Sequence, residues 1–407
     1  MKNNLVFLTQ NYPYGNGEDF IENELPILLL HFDKILILPS LSRNFDKKRL
    51  LPDRVEVINF HNPQGVFEIL SNWFANLPSS LTLMIEEFFK MGKKFSLLPY
   101  LFYHIPLGLK IKKSLIHLLR KEENYTFYSY WMDTNAYGLC LLKRDLGIDF
   151  FVRTHGGDLY GYRHSHGIIP FRQTVYTEAN SIFPISKDGR NYITENWPQY
   201  KHKVKTHYLG VKKQELGPIP NMDRYRIISC SSIIPLKRLD KILSVISYIS
   251  EPVEWIHFGG SVEEIQAIKY KADNILRDRG KFIHKGQVNN RDLLNFYRQE
   301  YCDLFINLSE SEGIPVSIME AISFGIPVIS NEVGGIPEIV NTTTGILVGL
   351  NDSPQSISEK INGFFQSGKS RDIYYRKQIR SFFDENFNAE VNYNSFANEI
   401  LKLEFRD

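Results

Sequence analysis

Short β-rich runs alternate with longer helical stretches along most of this chain, and that alternation constrains the fold more than any other feature. The runs LVFLTQ at 5–10 and KILILPS at 34–40 predict buried strands with a helix between them. The pattern stops at 210–223, which is rich in glycine, proline and charge, and starts again with RIISCSS at 226–232. Strands that alternate with helices predict parallel sheets joined by right-handed crossovers. We therefore predict an α/β fold with two doubly wound domains.

The length of 407 residues supports two domains, because a single core of that size is unusual. We expect a first domain at 1–209, a second at 210–385, and a last helix near 386–407 that packs back on the first domain. Ligands of doubly wound sheets bind beyond the carboxyl ends of the strands. The loops that follow the predicted strands are therefore expected to converge on one cleft between the domains.

The charge and the cysteines argue against several classes of protein. A net charge of +2 argues against a nucleic-acid binder that works through bulk charge. Because neither a signal-peptide core nor a run of 18 apolar residues occurs, we expect a cytoplasmic protein without a membrane span. Cys140, Cys230 and Cys302 are far apart and form no CxxC pair, which indicates buried, reduced thiols.

The stretch SESEGIPVSIMEAISFGIP at 309–327 contains three glutamates, and two of them, Glu312 and Glu320, lie eight positions apart. It follows a predicted strand and reads as a loop and then a helix, with Pro315 suited to the first helical position and Gly325 to the end. The helix start presents free backbone N–H groups, and carboxylates accept hydrogen bonds from diols. The spacing alone leaves two interpretations open, a ligand-binding pair or two solvated glutamates.

Four segments in a fixed order decide between these interpretations: EGIPVSIMEA, GIPVIS, EVGGIPEIV and GILV. Together they resemble the retaining glycosyltransferases of family 4, the glycosyl transferases group 1, and the resemblance is strongest over 282–348. It implies the GT-B fold, in which two Rossmann-like domains face each other across a cleft. It also implies that the first domain binds the acceptor and the second binds the nucleotide sugar.

The resemblance assigns different roles to the two glutamates. Glu312 is expected to contact hydroxyls of the donor sugar, and Glu320 to contact the ribose diol. The donor contacts implied beside Glu312 lie at Gly313, Ile314, Pro315 and Val316. Gly334 begins the matching GxxP turn that ends at Pro337.

The family's G-R-L-x-x-x-K segment, which neutralises the diphosphate, is only partly matched by SSIIPLK. Lys237 matches the lysine, whereas Ser232 stands where arginine is usual and Ser231 where glycine is usual. Arg238 is a candidate replacement for the absent positive charge. The alternative is that Arg238 is an ordinary solvated helix residue.

Two further loops resemble donor-binding loops of the family. HFGG at 257–260 places Gly259 near the phosphates, and HKGQV at 284–288 places Gln287 and Val288 beside the nucleobase. Ordinary strand-end turns remain the alternative for both loops.

The first domain carries VRTHGGDLY, which resembles the family's H-G-x-D loop. This makes His155 a candidate catalytic residue near the anomeric carbon, with Asp158 holding the loop. Gly15 and Gly17 are candidate contacts to diphosphate or acceptor, although a GNG sequence also makes an ordinary turn. We expect no metal and no cofactor.

The resemblance implies a retaining transfer from a nucleoside-diphosphate sugar, UDP- rather than GDP-linked, with His155, Glu312 and Lys237 as the catalytic residues. The acceptor is expected to be a saccharide or a lipid-linked saccharide of a bacterial cell-surface polysaccharide or glycolipid. The alternatives are a nucleotide-sugar epimerase, a phosphorylase-like enzyme that uses free phosphate, and a non-catalytic partner that binds sugar nucleotides.

The segment 88–121 contains eight lysines and arginines and no acidic residue, mixed with aromatic residues and leucines. One interpretation is a patch that docks on an anionic membrane, which would place the protein peripherally on the inner face of the plasma membrane. The other is a set of amphipathic helices packed on the first domain, with solvated lysines.

Overall fold

The computed structural model describes residues 3–15, 18–43, 48–63, 65–119, 124–219, 223–277 and 280–404, with side chains up to 402. These residues form two compact units. The N-terminal unit contains the described residues up to His207 and those from Tyr393 onward, and the C-terminal unit is Tyr208–Asn392. Each unit contains a six-stranded parallel sheet, which confirms the predicted α/β fold class.

The N-terminal sheet has the strand order β3-β2-β1-β4-β5-β6, so the order reverses between β1 and β4. Its strands are β1 (Asn3–Thr9), β2 (Lys34–Pro39), β3 (Val55–Val57), β4 (Asn124–Ser129), β5 (Phe150–Thr154) and β6 (Ser181–Pro184). The helices of this part of the chain are α1 (Ile21–His31), α2 (Val66–Ala75), α3 (Leu77–Lys90), α4 (Leu98–Ile116), α5 (Thr134–Leu146), α6 (Gly156–Leu159), α7 (Arg172–Glu178) and α8 (Lys187–Asn196).

The apolar run in β1 explains why this strand lies in the centre of the sheet. Leu5, Val6, Phe7 and Leu8 are fully buried on both faces of the strand. Parallel sheets are covered by helices on both faces, so their strands are continuous apolar runs rather than alternating ones. In the register, Leu5 lies opposite Ile35 of β2.

The C-terminal sheet repeats this topology with the strand order β12-β11-β10-β7-β8-β9. Its strands are β7 (Tyr225–Cys230), β8 (Val253–Phe258), β9 (Gly280–His284), β10 (Leu304–Asn307), β11 (Val328–Asn331) and β12 (Gly345–Val348). Its helices are α9 (Leu239–Ser247), α10 (Val262–Leu276), α11 (Asn290–Gln299), α12 (Val316–Ser323), α13 (Pro354–Gln366) and α14 (Ile373–Asn386). The order reverses between β7 and β10, which are neighbours in the sheet.

The last helix, α15 (Ala389–Glu404), starts in the C-terminal unit and from Tyr393 belongs to the N-terminal unit. Phe396 is fully buried, with the guanidinium carbon of Arg153 4.3 Å from its ring centre. Arg153 pairs with Glu24 at 3.1 Å, and both side chains are completely buried. The end of the helix therefore covers a buried ion pair of the N-terminal unit.

Candidate functional site

The topological switch of the C-terminal unit, between β7 and β10, brings two predicted site residues together. Chain connections leave these two neighbouring strands in opposite directions, which opens a crevice beyond their carboxyl ends. Lys237 follows β7 and Glu312 follows β10. Lys237 Nζ donates to Glu312 Oε1 at 2.5 Å, and Glu312 is only 8% exposed. A carboxylate and an ammonium group thus lie where doubly wound sheets bind ligands.

Close backbone packing fixes the loop that carries Glu312. Gly334 has a φ of +51°, and a Cβ at this position would lie 2.0 Å from the Glu312 carbonyl oxygen. Only glycine tolerates both conditions. The prediction for Pro315 was wrong by one position, because its ψ of 127° is extended and makes it the N-cap of α12, with Val316 as the first helical residue.

Glu320 lies one turn further along α12 and is 5% exposed. Asn290 Nδ2 donates to Glu320 Oε1 at 2.5 Å. Asn290 is the first residue of α11, and it follows the N-cap Asn289, whose side chain accepts from the Asp292 backbone N–H. The sequence reasoning did not identify Asn290. The sequence signal that could have identified Asn290 is the pair Asn289-Asn290. This pair starts a helix directly after HKGQV at 284–288, the loop that was expected to contact the donor.

Cys230 is the last residue of β7, and it lies near Glu320 and Lys237. Burial raises the pKa of the Cys230 thiol to about 12, with a further increase from the charge of Glu320 and a decrease from Lys237. The thiol is therefore protonated at neutral pH and is a poor nucleophile, because the thiolate is the reactive form.

The loops after β7, β8 and β9 pack directly on one another. Gly259 has a φ of +113°, and a Cβ there would lie 2.1 Å from the Ser231 carbonyl oxygen. The Gly259 N–H donates to the Gly286 carbonyl oxygen at 2.8 Å. The three strand ends thus form one continuous backbone surface next to the switch point.

Three further predicted donor contacts follow β7 and β9 in the chain. Ser232 and Gln287 are exposed, and Val288 is half-buried. Their role in donor binding therefore remains a prediction.

Arg238, the candidate replacement for the absent arginine, already has partners. Its Nη1 donates to the Leu350 carbonyl oxygen at 3.1 Å, and its Nε lies 3.6 Å from Glu310 Oε1. The residue adopts the left-handed conformation, with a φ of 53°, as the N-cap of α9. It is therefore not the solvated mid-helix residue that the alternative interpretation describes.

In the N-terminal unit, His155 lies after β5 among aromatic rings, 4.2 Å from Trp131 and 4.8 Å from Tyr130 between ring centres. Asp158 holds this loop by accepting from the backbone N–H groups of His155 at 2.5 Å and Met132 at 2.8 Å. Its Oδ2 lies 3.9 Å from His155 Nδ1. Neither ring nitrogen has a hydrogen-bond partner among the described residues, and burial lowers the pKa of His155. The imidazole is therefore neutral at pH 7.

Glu18 occupies the loop after β1, and the sequence reasoning did not identify it. Its carboxylate accepts from the backbone N–H groups of Gln10 at 3.1 Å and of Asn11 and Tyr12 at 2.7 Å. It also accepts from the Trp131 indole at 2.6 Å. A glycine-rich loop offers such backbone N–H groups to a bound anion. In this protein the carboxylate of Glu18 accepts their hydrogen bonds instead.

The same loop contains the two glycines that were predicted as contacts, Gly15 and Gly17, and the structure describes only Gly15. Gly15 adopts a φ of +68°, and its carbonyl oxygen accepts from Arg49 Nη2 at 3.1 Å. Gly17 lies outside the described residues. The positive φ explains why a glycine stands at position 15, because the turn requires the left-handed conformation. It is not evidence of a ligand contact.

Asp133 follows β4, and it was also missed. It caps α5 by accepting from the Asn135 backbone N–H at 2.8 Å, and its other oxygen accepts from Gln10 Nε2 at 2.9 Å. Burial raises the pKa of Asp133 to about 7. The switch point of the N-terminal sheet thus carries a carboxyl group that titrates near neutrality.

The segment 88–121 contributes more to the core than the membrane interpretation requires. The apolar residues of α4 are largely buried, including Leu101, Ile105, Leu109, Ile111 and Leu115. Arg120 and Lys121 lie outside the described residues. The segment nevertheless exposes some apolar side chains, among them Phe89 and Phe95. We call these two, together with exposed apolar residues of α2 and α3, the apolar face: Val66, Phe67, Phe74, Leu81, Ile85, Phe89 and Phe95.

Among the described residues, no helix is both long and apolar enough to cross a membrane. Within the same part of the chain, no group of three or more histidine, cysteine, aspartate or glutamate side chains is arranged to hold a metal ion. His164 Nε2 contacts the Gly157 carbonyl oxygen at 2.7 Å, and His166 Nδ1 contacts the neighbouring Ser165 hydroxyl at 3.0 Å.

Comparison with known protein families gives a match within the C-terminal unit. Residues 213–380 match the family described as Glycosyl transferases group 1. This range includes Lys237, Asn290, Glu312 and Glu320, and it lies within Tyr208–Asn392.

Two relatives extend this similarity. The chain is 26% identical over 222 residues to the uncharacterized glycosyltransferase MJ1178 of Methanocaldococcus jannaschii, covering 54% of this chain and 60% of the relative. It is 28% identical over 182 residues to the O-antigen biosynthesis glycosyltransferase WbnH of Escherichia coli, covering 42% of this chain and 48% of the relative. The matched part of the chain thus spans about half of the length of these relatives.

Solved structures match over nearly the whole chain. The Anabaena protein HepE in complex with UDP-glucose has a TM-score of 0.64 and 14% identity, covering 98% of this chain and 99% of that one. Sucrose-phosphate synthase from Thermosynechococcus elongatus has a TM-score of 0.71 and 13% identity, covering 99% of both chains. At these identities the likeness establishes the fold. The segment 213–380 therefore matches the glycosyl transferases group 1, and the whole chain has the GT-B fold of these structures.

Proposed function

We propose that this protein is a retaining glycosyltransferase that moves a sugar from a UDP-sugar to an acceptor hydroxyl. The observation that carries the proposal is the contact between Lys237 and Glu312 at the switch point of the C-terminal sheet. A second carboxylate, Glu320, lies on the helix that begins directly after this loop. The arrangement supplies hydrogen-bond acceptors for a sugar and a positive charge for a diphosphate.

In this proposal the C-terminal unit binds the donor. Glu312 accepts hydrogen bonds from hydroxyls of the donor sugar, and Glu320 accepts them from the ribose diol, because each carboxylate can accept bonds from two adjacent hydroxyls. Lys237 neutralises the charge that develops on the diphosphate, aided by the backbone N–H groups of Gly313, Ile314 and Val316. Asn290 orients Glu320 through their 2.5 Å hydrogen bond.

The reaction that follows needs no nucleophile from the protein. The diphosphate departs first, and the sugar gains positive charge at the anomeric carbon. The acceptor hydroxyl then attacks from the face that the diphosphate left, which retains the configuration, and the leaving phosphate takes its proton. The two glutamates bind hydroxyls here and do not act as the paired acid and nucleophile of a glycosidase.

The N-terminal unit binds the acceptor in this proposal, and His155 assists the charge that develops on the sugar. Its imidazole is neutral, because burial lowers its pKa, and neither ring nitrogen forms a hydrogen bond among the described residues, with Asp158 Oδ2 3.9 Å from Nδ1. A neutral ring can donate one hydrogen bond without adding a repelling positive charge.

The relatives support the choice of donor and pathway. HepE has been crystallised with UDP and with UDP-glucose, and WbnH is a protein of O-antigen biosynthesis. We therefore favour UDP over GDP and a saccharide or lipid-linked saccharide acceptor of a cell-surface polysaccharide or glycolipid. The apolar face of α2 and α3, with Lys93 and Lys94 beside it, supports peripheral docking on an anionic membrane.

The test is release of nucleotide from a panel of UDP- and GDP-sugars, measured with and without acceptor extracts. The variant Glu312→Gln removes the charge but keeps the shape, and we expect its turnover to fall by about 10² to 10³, as for other preorganised transition-state groups. Product analysis by NMR reports whether the anomeric configuration is retained.

The exposed residue Glu359 on α13 provides the matched control, because Glu359→Gln removes the same charge away from the switch point. Equal turnover in the Glu312→Gln and Glu359→Gln variants would contradict the proposed site. Binding of UDP-sugars without any release of nucleotide would instead support the non-catalytic alternative, to which the serine at position 232 gives some weight.

A further inference from the structure

The N-terminal unit contains a cavity of about 300 Å³ whose wall includes none of the residues assigned to the proposed reaction. It lies between the end of α3 and the helices α7 and α8, and aromatic rings form much of its wall, including Phe171, Tyr192 and Trp197. Its charged wall residues are Glu87, Lys90 and Arg172. This volume reaches the lower end of the range for small-molecule sites.

Arg172 is the unusual member of this wall. Its side chain is 7% exposed, yet it forms no ion pair with a carboxylate among the described residues. Its Nη2 donates to the Leu159 carbonyl oxygen, its guanidinium carbon lies 4.9 Å from the Trp197 ring centre, and its Nε has no hydrogen-bond partner in the described chain. Buried charges are usually paired, so an uncompensated guanidinium indicates an anionic ligand.

The other charges of the wall compensate one another. Glu87 accepts from Lys90 Nζ at 3.4 Å and from the Thr174 hydroxyl. Lys90 also pairs with Glu86 at 2.5 Å. Arg172 therefore provides the positive charge that the cavity presents without a protein counterion.

We propose that this cavity binds the phosphate group of a phosphorylated ligand, with Arg172 as its charged contact. The planar guanidinium suits phosphate better than a single-point contact does. Two sources share this chemistry, a lipid headgroup and free phosphate. The lipid has support from Phe89 on the same helix as Glu87 and Lys90, since its ring is exposed on the apolar face.

The binding test uses the full chain without any sugar nucleotide, so its result does not depend on the proposed transfer reaction. Titration calorimetry with inorganic phosphate, dihexanoyl phosphatidic acid and octyl glucoside separates the possibilities. Saturable binding of either phosphate compound supports the site, and the tighter of the two identifies the source. Binding of octyl glucoside alone, or of none of the three, overturns the proposal.

Arg172→Met tests the contact directly, and we expect binding at least about tenfold weaker, as for the loss of a hydrogen bond to a charged group. Because Arg172 is buried, this variant can also fail to fold. Gln173 is exposed at the edge of the cavity and offers a milder test. We expect Gln173→Glu to weaken phosphate binding and Gln173→Lys to strengthen it, each by about threefold, the size of an exposed charge pair.

Opposite effects of the two Gln173 variants support the site, and identical affinities in both overturn it. Affinity for UDP, measured on the same samples, provides the control. It is expected to stay constant, because the donor residues of the C-terminal unit are unchanged.

Discussion

Gly334 shows how the absence of one side chain positions a carboxylate elsewhere in the chain. The carbonyl oxygen of Glu312 occupies the space where a Cβ of residue 334 would lie. The turn that contains Gly334 and the loop that contains Glu312 therefore move together. A change at residue 334 is expected to displace Glu312 without contact to any substrate.

The variant Gly334→Ala tests this coupling. We expect a loss of about 1–3 kcal/mol in the free energy of unfolding from the strained φ, and nucleotide release at least about tenfold slower because Glu312 moves. Gly363→Ala is the control, since Gly363 lies inside α13 with no atom within 4 Å of the added Cβ. That change is expected to stabilise the protein by about 0.5–1 kcal/mol. Unchanged activity in Gly334→Ala would show that the two loops are independent.

His257 makes stability depend on pH. It is fully buried on β8, its Nδ1 lies 2.8 Å from the Ser229 hydroxyl, and burial lowers its pKa to about 4. The unfolded chain, with an ordinary histidine pKa near 6.5, takes up a proton first as the pH falls. The contribution to stability is therefore complete above about pH 6.5 and is lost between about pH 6.5 and 4, at up to about 1.4 kcal/mol per pH unit.

Urea unfolding at pH 7.5, 6.0 and 5.0 measures this slope. His257→Asn is expected to make the dependence on pH shallower, although His104 and His207, whose pKa values burial also lowers to about 4, maintain part of it. The same slope in the variant and the parent protein would mean that His257 takes up its proton equally in both states.

The sequence predicted Lys237 and Glu312 as site residues because their motifs follow recognisable strands in a fixed order, and the structure brings their side chains into contact; their roles in the reaction stay predictions. The sequence did not identify Asn290 or Glu18 as residues of the two strand-end regions. Asn290 acts through a contact with Glu320 that joins two helices thirty positions apart, and Glu18 acts by folding back onto its own loop. Both contacts depend on loop conformation, which short-range patterns do not specify.

At the level of elements, α15 is expected to stabilise the N-terminal unit through a single ring. Phe396→Ala removes the ring that covers Arg153, and we expect a loss of about 3–5 kcal/mol in the free energy of unfolding, typical of a buried phenylalanine. The control is Val391→Ala on the same helix, because Val391 is exposed. Similar losses in both variants, measured by urea unfolding, would contradict the assigned packing.

Strands were easier to predict than helices in this chain. Buried parallel strands are continuous apolar runs bounded by turns, so β1, β2 and β7 are visible in the sequence. β3 is three residues long and exposes one of them, which gives no pattern. The lysines and leucines of 88–121 left two interpretations open, a membrane patch and packed amphipathic helices. The leucines of α4 are largely buried, whereas Phe89 and Phe95 are exposed, and periodicity cannot distinguish a core from a lipid surface.

At the scale of the whole molecule, the apolar face is expected to control binding to membranes. The double variant Phe89→Ser, Phe95→Ser removes two rings that are 58% and 74% exposed. We expect sedimentation with anionic vesicles to fall by at least about tenfold, because each ring contributes one to three kcal/mol when buried. Tyr374→Ser removes an equally exposed ring from the C-terminal unit as the control. Equal sedimentation of both variants would reject this face as the docking surface.

The α/β architecture followed from the alternation of strands and helices, and the resemblance to the glycosyl transferases group 1 from four ordered motifs within the matched segment 213–380. The donor sugar and the acceptor do not follow from either.

The return of α15 to the N-terminal unit has a consequence for synthesis on the ribosome. Residues 208–392 form a continuous unit, so they can complete their fold as soon as they leave the exit tunnel. The N-terminal unit emerges earlier but lacks Phe396, and its buried pair of Arg153 and Glu24 stays uncovered until then. The part of the chain that is made first is thus expected to be the last to reach its final packing.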